Sequence, residues 1–152
     1  MSEANREPRL LIPQLKPFYD WVEPLTWPLI RLTVGLMILP HGVPKLMAGI
    51  QAAATQVFIK RGLWVGIAEP MVVFLIFLET VGGICIALGL FTRFFAAAIT
   101  IEMLVIASLY APKFGWTSPG YEYPLMWALV MFAVALRGGG PWSLDRKIGV
   151  QL

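Results

Sequence analysis

Glu69-Pro-Met-Val-Val-Phe-Leu-Ile-Phe-Leu-Glu79-Thr-Val-Gly-Gly-Ile-Cys-Ile-Ala-Leu-Gly89-Leu-Phe-Thr92 runs without a break into Arg93-Phe-Phe-Ala-Ala-Ala-Ile-Thr-Ile-Glu102-Met-Leu-Val-Ile-Ala-Ser-Leu-Tyr-Ala111. A helix that crosses a bilayer needs about 20 predominantly apolar residues, and the stretches Glu69–Phe91 and Arg93–Ala111 each supply nearly that or more. Gly89 can close the first helix and Thr92 can cap the second. The turn between them is then so short that the two helices are antiparallel neighbours.

Two further apolar stretches flank this pair, Trp27–Met47 before it and Tyr123–Leu136 after it. Four spans make an all-α integral membrane four-helix bundle over residues 24–137. The first stretch carries Pro40 and Pro44, each of which removes a backbone donor, so a kink or an end is expected near Leu39. The last is short for a crossing and needs residues from the Tyr121 side, or a locally thinner bilayer. Between spans one and two, Ala48–Ala68 mixes Gln51, Gln56, Lys60 and Arg61 with apolar residues at near-helical spacing, the pattern of an interfacial helix. Residues 1–23 read as a polar, proline-broken tail without the short apolar core of a signal peptide. Residues 138–152 read as a short C-terminal tail.

Composition supports a membrane protein. The 152 residues are 58% hydrophobic and 14% charged, against roughly 25% charged in soluble domains. A net charge of +3, scattered along the chain, gives no basic surface for nucleic acid. One Cys and one His exclude a disulfide framework, a thiolate cluster or a metal site needing two imidazoles within one copy. Basic residues set the orientation: Arg6, Arg9, Lys16, Arg93, Arg137, Arg146 and Lys147 fall on the side of the termini, and Lys45, Lys60, Arg61 and Lys113 on the other. Both termini are therefore expected in the cytoplasm of a plasma (inner) membrane protein. Trp21, Trp27 and Trp142 at one end and Trp64, Trp116, Tyr121 and Tyr123 at the other read as interfacial belts.

Ionisable residues inside spans are costly and are functional candidates by default. Here they are Arg31, His41, Lys45, Glu79 and Glu102. At 1.5 Å per residue, Glu79 and Glu102 each lie roughly 14 Å from their span ends, so both reach the midplane from neighbouring helices. They read either as a pair that shares a proton and relays it or hydrogen-bonds a quinone carbonyl, or as hydrogen bonds that orient the bundle. His41 reads as a ring donating to a carbonyl freed by the prolines, or as a ligand or proton carrier. Arg31 and Lys45, nearer span ends, can snorkel to the interface or reach inward. Gly83-x-x-x-Ala87 lets another backbone approach.

Arg31-Leu-Thr-Val-Gly35, His41-Gly-Val-Pro-Lys45-Leu, Glu79-Thr-Val-Gly-Gly-Ile, Ala87-Leu-Gly-Leu-Phe-Thr-Arg93 and Gly139-Gly-Pro-Trp-Ser-Leu-Asp145 together resemble the DoxX family of four-helix membrane proteins. The resemblance implies four transmembrane helices in a plasma membrane and matching polar positions at Arg31, Lys45, Glu79 and Arg93, with Ser143 and Asp145 in the tail as caps of a short helix. It also implies a membrane subunit of a redox complex, of the thiosulfate:quinone oxidoreductase kind, with no covalent cofactor and with quinone as the expected ligand. A membrane or peripheral partner would supply the redox centre, and catalysis by this chain alone is not expected. Two other functions remain open: a non-catalytic accessory or assembly subunit, including a homo-oligomer, and a small-solute or proton pathway.

Overall fold

The computed structural model describes residues 9–62, 64–115 and 120–151. Arg6 of the N-terminal tail and Trp116 of the expected aromatic belt lie outside the described residues. Every regular element among the described residues is helical: α1 Lys16–Ala48, α2 Ile50–Val57, α3 Val65–Phe77, a π-helical turn Leu78–Gly82, α4 Gly83–Leu88, α5 Thr92–Tyr110, α6 Glu122–Arg137 and α7 Leu144–Ile148. Single 3₁₀ turns, Pro13–Leu15 and Ile59–Arg61, precede α1 and follow α2. Three helical stretches are long and apolar enough to cross a membrane: Pro13–Ala48, Val65–Leu88 and Thr92–Tyr110. Sixteen-residue α6 spans about 24 Å at 1.5 Å per residue and packs along α5.

Helix α1 differs from its expected boundaries at both ends. It starts at Lys16, inside the segment read as a tail, because Pro17 sits in the first turn, where no backbone donor is needed. It then runs to Ala48 with Pro24, Pro28, Pro40 and Pro44 inside it, so Pro40 does not end the helix. Its inner face is Trp27, Arg31, Val34, Gly35, Ile38 and Gly42, all buried. Gly35 meets the partner helix backbone to backbone: a methyl added there would lie 2.5 Å from the Ala87 nitrogen and 2.6 Å from the Gly83 oxygen. The small residues of α4 thus admit α1, as their spacing suggested.

The main core joins α1, the π turn, α4, α5 and α6 through residues such as Ile38, Leu78, Ile86, Ile99 and Met131. A smaller cluster lies beneath the segment between spans one and two. There Ala53 and Ala54 of α2 pack on Ala68, Val72 and Ile76 of α3, so this segment folds back on the bundle.

The C-terminal segment closes the bundle at the α5 N-terminus. Gly89 adopts the left-handed conformation that ends α4. Phe91 also lies at positive φ, 48°, a costly geometry for a bulky residue. The cap of α5 comes from fifty residues away in the chain, not from Thr92 as expected. Buried Asp145 accepts from Phe91 N at 2.6 Å, Thr92 N at 3.0 Å and Thr92 Oγ1 at 2.7 Å. Its own N–H donates to the Gly89 carbonyl at 2.8 Å. Ser143 caps α7 by accepting from Arg146 N at 3.1 Å.

Arg31 and Trp27 bind the same segment. Arg31, 3% exposed, donates to the carbonyls of Gly139 at 2.5 Å and Trp142 at 3.4 Å. It reaches inward and does not snorkel. Trp27 Nε1 donates to Gly138 O at 2.9 Å, and the Arg137 guanidinium lies over the Trp27 ring at 4.5 Å. Trp27 is therefore buried beneath this closure, while Trp21 and Trp142 stay exposed as belt residues require.

Two outcomes follow from this architecture. Asp145→Ala leaves two backbone donors of α5 and a hydroxyl without their acceptor, and is expected to lower unfolding free energy in detergent by about 3 kcal/mol. Gly35→Ala forces α1 away from the backbone of α4 and is expected to cost about 1–3 kcal/mol, whereas Gly49→Ser, whose Cβ meets nothing within 4 Å, should lose only the smaller cost of its positive φ. Chemical unfolding followed by circular dichroism measures all three.

Candidate functional site in the membrane-spanning helices

The inner face of α1 continues one turn past Gly42 to Lys45. This residue completes a stripe of Arg31, Gly35, Ile38 and Gly42 at spacings of three and four, so it points into the bundle. Its ammonium donates to both oxygens of Glu79, at 2.6 Å and 2.5 Å. Glu79 is 2% exposed and the Lys45 side chain 24%. A carboxylate so buried in an apolar bundle is tolerated when it is paired.

The backbone that presents Glu79 is irregular. Residues Leu78–Gly82 form a π-helical turn, with Gly83 N bonded to Leu78 O. Such turns are rare, widen the helix by one residue and re-aim the side chains they carry. Thr80 Oγ1 occupies the Ile76 carbonyl at 2.5 Å. Gly42 gives the turn its room, since a methyl there would lie 2.8 Å from both Glu79 Cβ and Thr80 Cγ2.

Glu102 stands on α5, 9% exposed, within electrostatic reach of Glu79 and Lys45. Its carboxyl lies within hydrogen-bond reach of the Glu79 carboxyl, a contact that needs a proton on one of the two, and no other donor among the described residues reaches it. Buried polar groups are nearly always satisfied, and this neighbouring carboxyl is the one partner the bundle gives Glu102 among the described residues. Glu102 and Lys45 line a cavity of about 570 Å³ between the end of α1, the α2 segment, α3 and α5. Its walls include Met71, Phe74, Ile101, Val105 and Leu109, all exposed on the outside of the bundle. The cavity therefore opens sideways on an apolar face. Its polar groups are Lys45 and Glu102 within, and Gln56, Arg61 and Tyr110 toward the helix ends.

Of the five residues singled out from sequence, Lys45, Glu79 and Glu102 come together. Arg31 does not: midway along α1, it serves the C-terminal closure at the opposite end of the bundle. His41 is exposed and makes no side-chain hydrogen bond among the described residues, so the expected bond to a proline-freed carbonyl is not formed. Sequence reading missed Lys45 as the partner of Glu79 because it counted depth from the span end. The three-and-four spacing from Arg31 carried the signal. Arg61 and Tyr110 had none, since only the folding back of α2 brings Arg61 to the cavity.

The DoxX family model matches residues 26–112. That range includes Arg31, His41, Lys45, Glu79 and Glu102, and ends before α6 and the C-terminal closure. No curated protein and no solved structure matches the chain.

The ion pair generates a double-mutant test. Lys45→Met leaves Glu79 buried without its cation and is expected to destabilise the protein by about 3–5 kcal/mol. Glu79→Gln in the same chain removes the stranded charge, so the double variant is expected to recover much of that loss. Unfolding in detergent of the four proteins of the cycle measures it, and additive losses would show that the two residues do not act as a pair.

Proposed function

The chain belongs to the DoxX family, and from that premise we propose that it is the membrane subunit of a redox complex that holds the headgroup of a lipid-soluble quinone beside Glu102 and Lys45. The observation that carries this reading is the buried Glu102 carboxyl, given no donor besides the Glu79 carboxyl, on the wall of a cavity open to the apolar side of the bundle. A molecule reaching that cavity comes from the lipid, and to hydrogen-bond Glu102 and Lys45 there it must bring polar oxygens on an apolar body. A quinone has both, and supplies two-electron chemistry coupled to proton uptake.

The roles of the chain's own groups follow from their bonds. Lys45 spends two contacts on Glu79 and, with three N–H donors on an ammonium, has one left for a carbonyl oxygen in the cavity. Glu102 can donate a proton when neutral or accept one when ionised, so it serves either the carbonyl or the hydroxyl form of a headgroup. Glu79 holds Lys45 in place and is a positioning residue. Electrons come from a partner protein, and α6 makes the fourth crossing, with both termini on the cytoplasmic side of the plasma membrane.

Removing a hydrogen bond to an ionisable group costs about 1.5–3 kcal/mol, which is about tenfold or more in affinity. Purified from native membranes and extracted with solvent, the parent protein is therefore expected to carry quinone. Glu102→Leu is expected to lose most of it, and Arg146→Gln, at the far end of the molecule, to retain it. Equal quinone content in parent and Glu102→Leu, with both proteins folded, would refute the reading.

A further inference from the structure

The three ionisable groups at the cavity end of α1 form one chain of contacts. Lys45 donates to both oxygens of Glu79, and the Glu79 carboxyl lies within hydrogen-bond reach of the Glu102 carboxyl. Two carboxylates offer acceptors only, so the second contact forms when one of them carries a proton. Both carboxyls are buried, and like charges this close in a dry site do not both ionise.

Electroneutrality sets the number of protons. Each uncompensated charge in an apolar bundle is costly. Two carboxyls and one ammonium sum to zero with a single bound proton. With none, the cluster carries a net negative charge, and with two, Lys45 has no anion beside it. The charges that act on Glu102 are those of Glu79 and Lys45, and the groups on the surrounding elements leave the count unchanged. His41 stands on the exposed side of α1. Arg61 is exposed and its guanidinium is bonded to the carbonyls of Gln56 and Val57. Glu69 of α3 precedes Glu79 by about 15 Å of helix at 1.5 Å per residue, and Tyr110 closes the last turn of α5. The charges of α6 are Glu122 in its first turn and Arg137 in its last.

Geometry also says which carboxyl is the acid. Glu79 meets the ammonium with both oxygens, the arrangement of an ionised group. Glu102 meets no nitrogen donor among the described residues, so the O–H is its own. Because Lys45 already holds Glu79, that O–H can turn from Glu79 to an acceptor oxygen in the cavity that Glu102 lines without leaving Glu79 unpaired.

We propose that Lys45, Glu79 and Glu102 form a one-proton site, in which Glu102 holds a proton against Glu79 while Lys45 balances the remaining charge. The use of this proton toward a quinone rests on the function proposed above, whereas the proton itself is present whatever enters the cavity. Infrared spectra of the purified full chain in detergent near neutral pH, taken in water and in D₂O, read it through the deuterium-sensitive C=O stretch of a protonated carboxyl. The parent is expected to show this band and Glu102→Gln to lose it. Glu79→Gln is expected to lose it as well, because Glu102 then becomes the anion that balances Lys45. Adding Lys45→Met to Glu79→Gln is expected to restore the band to its parent intensity, since one carboxyl is then left with no cation. Circular dichroism shows that each variant keeps its helices. The proposal is overturned by a parent without the band, by a band that survives Glu79→Gln, or by a folded double variant that lacks it. Solvent-extracted quinone is measured on separate samples, so the proton site and the quinone reading can fail independently.

Discussion

Burying charge in a bundle this apolar is the constraint that organises the molecule. Taking an ion out of water costs on the order of several kcal/mol even after relaxation, and Glu79 is 2% exposed. Lys45 offsets that cost with contacts to both carboxylate oxygens. For the two to meet, α1 must come close to the irregular turn that carries Glu79. Gly42 lets it do so against Glu79 and Thr80, and Gly35 continues the approach against Gly83 and Ala87. The small residues and the ion pair are thus parts of one contact, made over two successive turns of α1.

With Glu79 held by Lys45, Glu102 is left with the Glu79 carboxyl as its partner, and no nitrogen donor reaches it among the described residues. Its other neighbour is the cavity that it lines with Lys45. The opposite end of the bundle shows the contrast. There Asp145 accepts three hydrogen bonds and Arg31 donates to two carbonyls, so that cluster is built for closure.

Periodicity and hydropathy made much of the fold legible. The antiparallel pair on either side of Gly89, the small-residue approach on α4 and the nearness of Glu79 and Glu102 on neighbouring helices could all be placed from spacing alone, because helix geometry converts sequence distance into height and face. Proline was the weak point. Pro17 read as part of a broken tail, and Pro40 as a kink or a helix end, yet α1 passes through its four internal prolines without ending. In a bundle, neighbouring helices can support a segment that propensity alone would break. Thr92 failed as a cap for a related reason: a carboxylate from the other end of the chain offered the α5 donors a charged acceptor, which local reading cannot see.

The sequence by itself determined that this is a helical membrane protein, which helices are neighbours, and which ionisable residues lie midway along them, since each of these depends only on period, length and hydropathy. Tertiary structure decided the pairings. It gave Glu79 to Lys45, turned Glu102 toward a cavity, sent Arg31 and Asp145 to the closure and left His41 on the surface. Those choices depend on how α1 rotates against the π turn and on where the C-terminal segment folds back, and such long-range geometry is fixed by packing between residues far apart in the chain.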